Sequence, residues 1–207
     1  NYGAGTGHGY AATIGGDYGS YHHNLLAHNE GRNWSMSGGL DGGGSYAGHH
    51  DMFNNVCYNW RNRTTDGGTH QGQFVNNYYK MGPATTHTYL LTADLEGTGK
   101  GSQSYYVSGN IRENRNGSLT EDKENVTYRL NAEQKYDWDV FVDKPFFESY
   151  ATIEPAKLAY KTTLSDVGCN QPFFDNHDTR MVKETLTGTY TYKGNRTGYP
   201  GLIDKES

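Results

Sequence analysis

Asparagine at the ends of short strand-like runs is the feature that most constrains the fold of this chain. Such runs end at Asn24, Asn55, Asn77 and Asn110, at intervals of 31, 22 and 33 residues. A coil of a parallel β-solenoid uses a little over twenty residues, and longer coils carry extra loop. Asparagine suits the turn because it tolerates left-handed backbone and because its amide can hydrogen-bond the asparagine of the next coil. The spacing predicts stacked parallel coils, and the alternative is an antiparallel sandwich with Asn-rich turns.

Six strand-like runs occupy the first half of the chain. They cover residues 11–14, 19–21, 50–53, 73–75, 88–91 and 105–107. The composition changes after about Gly117, where charged residues become more frequent. We therefore assign 1–117 to the coils and 118–207 to an extension that packs on them within the same domain.

The extension contains two recognisable segments. Residues 136–147 combine aromatic and β-branched side chains, which predicts an extended stretch packed along the main body. Residues 154–167 are the one clear helix, with Pro155 near its first turn and Gly168 as its stop.

The composition excludes a disordered chain despite its low apolar content. Only 33% of residues are hydrophobic and the mean hydropathy is −0.89, which alone would suggest disorder. Disordered chains are rich in charge and poor in aromatic residues, however, whereas here charged residues are 20% and there are 18 Tyr. Stacked coils bury only a narrow column of side chains, so few apolar residues suffice.

Several classes of protein do not fit the sequence. No run of eighteen apolar residues occurs, so we expect no membrane span. The Gly-rich stretch 38–44 lacks the lysine and the helix of a phosphate loop, and we expect no nucleic-acid partner. The chain begins at Asn1 without a visible signal peptide, and we read it as a fragment or a processed piece.

The two cysteines, Cys57 and Cys169, form either a single disulfide or, as we favour, two unpaired buried thiols.

An ordered series of motifs resembles the pectate lyases of polysaccharide lyase family one. The series runs through Ile-Gly-Gly at 14–16, Ser-Tyr-His-His-Asn at 20–24, Arg32, Phe-Asn-Asn-Val at 53–56, Tyr-Asn-Trp at 58–60 and Asn-Asn-Tyr-Tyr-Lys-Met-Gly-Pro at 76–83. Towards the C-terminus, the motif Asp-x-x-Asp-x-Arg at 175–180 and Gly-Tyr-Pro at 198–200 are also similar to the family. The match covers nearly the whole chain in order.

The resemblance implies a fold, a reaction and a location. It implies an all-β, right-handed parallel β-helix that is secreted, periplasmic or on the cell surface. The implied reaction is calcium-assisted β-elimination of polygalacturonate, an acidic plant cell-wall polysaccharide, with Arg32 as the proton acceptor. A guanidinium is normally protonated, so this role needs nearby cations or desolvation and predicts activity that rises into alkaline pH.

The chain departs from the family pattern in two places. The family's Arg-x-Pro-Arg is here Arg32-Asn33-Trp34-Ser35, without the second arginine that helps to hold the anionic substrate. Cleavage of rhamnogalacturonan or another pectin, and a non-catalytic polysaccharide-binding β-helix, are therefore alternatives. The family's calcium ligands lie on earlier coils, so we expect calcium to be held outside this chain, on N-terminal coils or by a second chain that carries them.

The net charge predicts a local basic strip. A protein of net charge −5 cannot attract a polyanion through its overall field. Positive side chains must therefore attract the polyanion locally. Stacked coils would align the strand ends, so basic residues near these ends would form a strip. The candidate substrate-binding residues are His23, Arg61, Arg63 and Lys80, beside the catalytic candidate Arg32.

Overall fold

The computed structural model describes residues 9–95, 97–131, 135–195 and 197–201, and their regular secondary structure is mostly β-strand. In chain order the described strands are β1 (Thr13–Gly15), β2 (Tyr18–His22), β3 (Leu25–Ala27), β4 (Ser35–Ser37), β5 (His49–Phe53), β6 (Val56–Tyr58), β7 (Thr65–Gly68), β8 (Gln71–Val75), β9 (Tyr78–Lys80), β10 (Leu91–Ala93), β11 (Ser104–Ser108), β12 (Ile111–Glu113), β13 (Leu119–Glu121), β14 (Tyr128–Leu130) and β15 (Phe141–Val142). The described helices are α1 (Ala156–Asp166) and α2 (Asn176–Thr187).

The strands form three sheets that the chain visits in rotation. The first sheet has the order β1-β4-β7-β10-β14, the second β2-β5-β8-β11-β15, and the third β3-β6-β9-β12-β13. Every described pair of adjacent strands is parallel except β12 with β13. The chain is therefore an all-β protein of parallel sheets, and the antiparallel sandwich is wrong.

An asparagine ladder joins successive passes of the chain between the second and third sheets. Nδ2 of Asn24 donates to Oδ1 of Asn55 over 2.9 Å, Asn55 donates likewise to Asn77 over 3.1 Å, and Asn77 to Asn110 over 2.9 Å. The residue just before each of these four asparagines has positive φ, namely His23 (54°), Asn54 (51°), Asn76 (50°) and Gly109 (72°). The asparagine contacts that the spacing predicts are confirmed.

Aromatic side chains fill the narrow interior. Trp60, Phe74, Tyr79 and Tyr105 are at most 1% exposed. The Tyr79 hydroxyl donates to the carbonyl of Asn33 over 2.8 Å, and a main-chain carbonyl likewise accepts from Tyr105. Since their polar ends are hydrogen-bonded, tyrosines serve as core residues here, and this allows a low apolar fraction.

The predicted elements match the observed ones closely, with one omission. The strand-like runs overlap strands, although 88–91 meets β10 only at Leu91. The predicted helix 154–167 is α1, but α2 was missed, so the expectation of one clear helix is wrong. α2 begins after Asp175, whose carboxylate accepts from the backbone N–H groups of His177 and Asp178.

The extension adds one strand to each sheet, β14 to the first, β15 to the second and β13 to the third. Trp138 Nε1 donates to the Gln103 carbonyl over 3.0 Å, and β15 pairs with β11, which confirms the extended packing of 136–147. Asn54 Nδ2 donates to the Glu154 carbonyl over 2.7 Å at the start of α1. Neither described helix is long and apolar enough to cross a membrane.

Both cysteines are unpaired. Cys57 is buried on β6, and burial raises the pKa of its thiol well above the usual value. Cys169 is exposed after α1, so the expectation that both thiols are buried is wrong for this residue.

Candidate functional site

Each strand of the first sheet carries a polar side chain on the outer face at the same register position. Adjacent strands bring these residues into register, and we call them the polar row: Thr13, Ser35, Asp66, Thr92 and Arg129. Their neighbours Ile14, Met36, Leu91 and Ala93 point into the core. Parallel strands lie about 4.8 Å apart, so the row is roughly 20 Å long.

Arg32 lies at one end of the polar row. Hydrogen bonds between main-chain groups hold its loop, since the Arg32 carbonyl accepts from the N–H of Ala12 over 3.1 Å. Arg32 Nη1 donates to Thr13 Oγ1 over 3.4 Å, and Cζ lies 4.7 Å from the centre of the Tyr10 ring. The guanidinium forms no ion pair with any residue that the structure describes.

Arg129 lies at the other end, on β14. Its Cζ is 4.4 Å from the centre of the Tyr89 ring. Within the described part of the chain, Arg32 and Arg129 are the two arginines whose side chains bind neither a carboxylate nor a carbonyl oxygen. The others have such partners: Arg61 with Glu30, Arg63 with Asp66, Arg180 with Glu184, and Arg112 and Arg115 with main-chain carbonyls.

An ion pair occupies the middle of the row. Arg63 Nε donates to Asp66 Oδ2 over 2.7 Å, and this bond raises the pKa of Arg63. Arg63 Cζ also lies 5.7 Å from the Tyr10 ring, which Arg32 contacts as well. The site therefore combines three arginines with two described aspartates, since Asp94, just after β10, also acts electrostatically on Arg63.

Four buried polar atoms of the site lack a hydrogen-bond partner among the described residues. We call them the unsatisfied atoms: Arg32 Nε, Asp66 Oδ1, Thr92 Oγ1 and Arg129 Nε. Thr92 is 7% exposed and Asp66 is 6% exposed. Buried polar groups are normally hydrogen-bonded, so a run of exceptions along one row indicates a place for a polar ligand.

His87 lies beside this site as a neutral side chain. Burial lowers its pKa, the positive charge of Arg129 lowers it further, and Asp66 acts in the opposite direction. Its carbonyl accepts from Trp60 Nε1 over 2.7 Å, which fixes the backbone, and its ring is 5.5 Å from that of Tyr89. At pH 7 His87 adds no charge to the arginines.

The structure places the other predicted substrate-binding residues elsewhere. Arg61 shares a loop with Arg63, but its guanidinium lies between Glu30 and the Tyr199 ring. His23 lies at the asparagine ladder, with Nδ1 2.9 Å from Nδ1 of His22.

Lys80 lies under α2. Its Nζ donates to the Leu186 carbonyl over 3.0 Å and is 3.5 Å from Glu113 Oε1. Of the predicted site residues, the structure thus brings together Arg32 and Arg63.

Sequence reasoning missed several residues of the site. They are Asp66, Thr92 and Arg129 on the row, with Tyr10 and Tyr89 beside it. The signal for Arg129 is present, because Tyr128-Arg129-Leu130 alternates as a half-buried strand does. A three-residue strand is too short for that signal to stand out.

The described residues do not fit a calcium ion. No group of three or more His, Cys, Asp or Glu side chains that could hold a metal occurs among them. Calcium takes six to eight oxygen ligands, whereas Asp66 is bound to Arg63 in a site of excess positive charge. Calcium held by ligands outside this chain stays a prediction.

Comparison with known proteins adds no family assignment. No protein-family model matches the chain, and no curated protein is significantly similar to it. The resemblance to pectate lyases therefore rests on the ordered motifs of the sequence.

Proposed function

We propose that this chain is a right-handed parallel β-helix that cleaves an acidic polysaccharide, polygalacturonate or a related pectin, by β-elimination at Arg32. The rotation of the chain through three parallel sheets and the asparagine ladder support the β-helix. Right-handedness is the expectation for connections between parallel strands of one sheet, about 98% of which are right-handed. The proposed location is secreted, periplasmic or on the cell surface, where such a substrate occurs.

One observation carries the proposal for Arg32. Its guanidinium lies at a polar row without a carboxylate partner among the described residues, whereas Arg61 and Arg63 are both paired. An unpaired arginine beside a row of polar groups is free to meet an anionic sugar. Arginine suits a carboxylate because its planar N–H groups make charge-assisted, often bidentate hydrogen bonds.

The arrangement also provides local positive charge on a protein whose net charge is negative. The protein carries a net charge of −5, so overall attraction does not bring a polyuronate to it. Three arginines against the two aspartates Asp66 and Asp94 leave the surroundings of the polar row with local positive charge. A polyuronate laid along the row meets Arg32 at one end and Arg129 at the other.

In the proposed reaction, Arg32 accepts the proton from C5 of a uronate unit. The C5–H electron pair forms the C4–C5 double bond, and the C4–O bond breaks with its electron pair going to oxygen, which takes a proton from water. One product then carries a 4,5-unsaturated sugar and the other a new hydroxyl end. Arg32 must be neutral to accept a proton. Arg63, which contacts the same Tyr10 ring, supplies a second positive charge that favours loss of a proton from Arg32. Calcium bound by ligands outside this chain would neutralise the uronate carboxylate.

The test follows the unsaturated product by its ultraviolet absorbance. The protein is incubated with polygalacturonate, with and without calcium, over a range of alkaline pH. Arg32→Ala is expected to lower the rate by ~10²–10⁴-fold. Lys157→Gln, an exposed change on α1, is the control and keeps the wild-type rate. Near-full activity of Arg32→Lys at every pH would exclude Arg32 as the base.

Two alternatives share this site. The residues after Arg32 are Asn33, Trp34 and Ser35, so Ser35 stands where the family pattern has its second arginine. This favours either another pectin, such as rhamnogalacturonan, or polysaccharide binding without cleavage. The same assay with rhamnogalacturonan separates the first alternative. Binding that depends on Arg32, without unsaturated product from any pectin, identifies the second.

A further inference from the structure

The end of the polar row at Arg129 has the features of a second binding position. Arg129 and Thr92 are partners in register on β14 and β10. Thr92 Oγ1 and Arg129 Nε are two of the unsatisfied atoms, and Thr92 is 7% exposed. Leaving a hydroxyl and a charged N–H group buried without acceptors costs free energy, and more so for the charged group. Two adjacent donors without acceptors indicate that a ligand supplies the acceptor.

The charge around Arg129 specifies an anionic ligand. Arg129 forms no ion pair with the residues that the structure describes. Asp66, the acidic residue of the row, is already bound to Arg63. His87 beside it is neutral, and the Tyr89 ring 4.4 Å away presents only its π-face. A planar carboxylate satisfies both the positive charge and the paired donors.

We propose that Arg129 and Thr92 bind the carboxylate of a uronate unit several sugars away from the unit at Arg32. The Arg32 side chain contacts Thr13 on β1, and Arg129 lies four strands along the same sheet. At about 4.8 Å per strand the two positions are roughly 15–20 Å apart. A single sugar ring cannot reach both positions, so the protein binds long stretches of polyuronate more tightly than short ones. This inference uses the substrate class of the proposed function but does not need cleavage.

The test measures affinity against substrate length by calorimetry. Oligogalacturonates of increasing length are titrated into wild type, Arg129→Gln, Arg129→Lys and the charge-matched control Arg115→Gln. Arg115 is exposed, and its side chain donates to the main-chain carbonyls of Gly82 and Thr85. We expect Arg129→Gln to weaken binding of the long oligomers roughly tenfold or more and to leave the shortest unchanged. Arg129→Lys recovers part of the loss, and Arg115→Gln binds as wild type.

Thr92→Val separates binding from folding. Valine has nearly the shape of threonine and removes a buried hydroxyl that has no partner in the described part of the chain. The variant should unfold at the same or a higher denaturant concentration than wild type, yet bind long oligomers more weakly. If the hydroxyl served only the fold, the variant would unfold at a lower denaturant concentration and bind long oligomers as wild type does.

The outcomes for Arg129 and for the lyase reaction are independent. Equal affinity of wild type and Arg129→Gln at every length overturns the inference, and so does an equal loss at every length. Unsaturated product together with either result leaves the lyase proposal intact. Length-dependent loss in Arg129→Gln without unsaturated product supports the Arg129 position and rejects cleavage.

Discussion

Nε of Arg63 donates a 2.7 Å hydrogen bond to Oδ2 of Asp66, while Oδ1 of the same carboxylate is one of the unsatisfied atoms. The pair places a negative charge in the middle of a row that has Arg32 beside one end and Arg129 at the other. Asp66 therefore orients Arg63 but also opposes an anionic ligand.

Asp66→Asn is expected to raise the affinity for polygalacturonate several-fold. The amide oxygen still accepts from Arg63, while the charge that repels the ligand is removed. The gain should persist at high ionic strength, because Asp66 is 6% exposed and salt screens buried charges much less than exposed ones. Binding at 50 mM and 500 mM salt measures it, with Asp143→Asn, an exposed aspartate, as the control. Weaker binding of Asp66→Asn at both salt concentrations would show that Asp66 serves the ligand directly.

Replacing different asparagines of the ladder should lower the free energy of unfolding by different amounts. Asn77 is fully buried; its Nδ2 donates to Asn110 and to the Met52 carbonyl, and its Oδ1 accepts from Asn55. Asn77→Ala leaves several buried groups unpaired, each at about 1–3 kcal/mol, so a loss of at least about 3 kcal/mol is expected. Asn24→Ala, at the half-buried end, should cost about 1 kcal/mol. Urea unfolding compares the two, and equal losses would mean that the ladder adds no stability of its own.

The ladder was predictable because its signal is local and repeated. Each rung follows a short strand and precedes the next, so the sequence alone places Asn55 and Asn77 at equivalent positions. Arg129 was not predictable in this way. Its place beside Asp66 and Thr92 depends on the register of strands separated by long loops, which no local pattern encodes.

Helix α2 was missed for a different reason. Its buried residues are Glu184 and Thr185, so the face that packs on the sheets is polar and gives no apolar periodicity. Lys80 was assigned to the basic strip from its place at a strand end, and α2, to which its Nζ donates, was not foreseen. The capping residue Asp175 was visible in the sequence, but a cap without an apolar stripe is weak evidence for a helix.

Glu184 is expected to hold α2 in place. Its Oε2 lies 2.6 Å from Nε2 of His28 and 3.4 Å from Nη1 of Arg180, and its side chain is 3% exposed. Glu184→Ala leaves these partners without their anion and should cost about 3 kcal/mol. Hydrogen exchange should show lost protection in α2 while the sheets stay protected. Lys183→Ala, exposed on the same helix, is the control, and unchanged exchange in Glu184→Ala would reject the role.

Asp122 ends the ladder and should make stability depend on pH. Its Oδ2 accepts from the backbone N–H of Asn110 over 2.8 Å and from Asn110 Nδ2 over 3.0 Å. Burial raises the pKa of Asp122 from 3.8 to about 6, although the bonds from Asn110 act in the opposite direction. The folded state thus holds the proton more tightly than the unfolded state. The stability that this gives is fully present below about pH 4 and is lost as the pH rises to about 6.

Asp122→Asn removes this titration but keeps an acceptor for Asn110. The free energy of unfolding of the variant minus that of wild type should increase by about 2–3 kcal/mol from pH 4 to pH 7. Buried His28, His50 and His87 have lowered pKa values, so their own contributions increase with pH, but they are common to both proteins and cancel in the difference. Urea unfolding at pH 4, 5, 6 and 7 gives this difference directly. A difference that stays constant over this range would show that Asp122 does not titrate there.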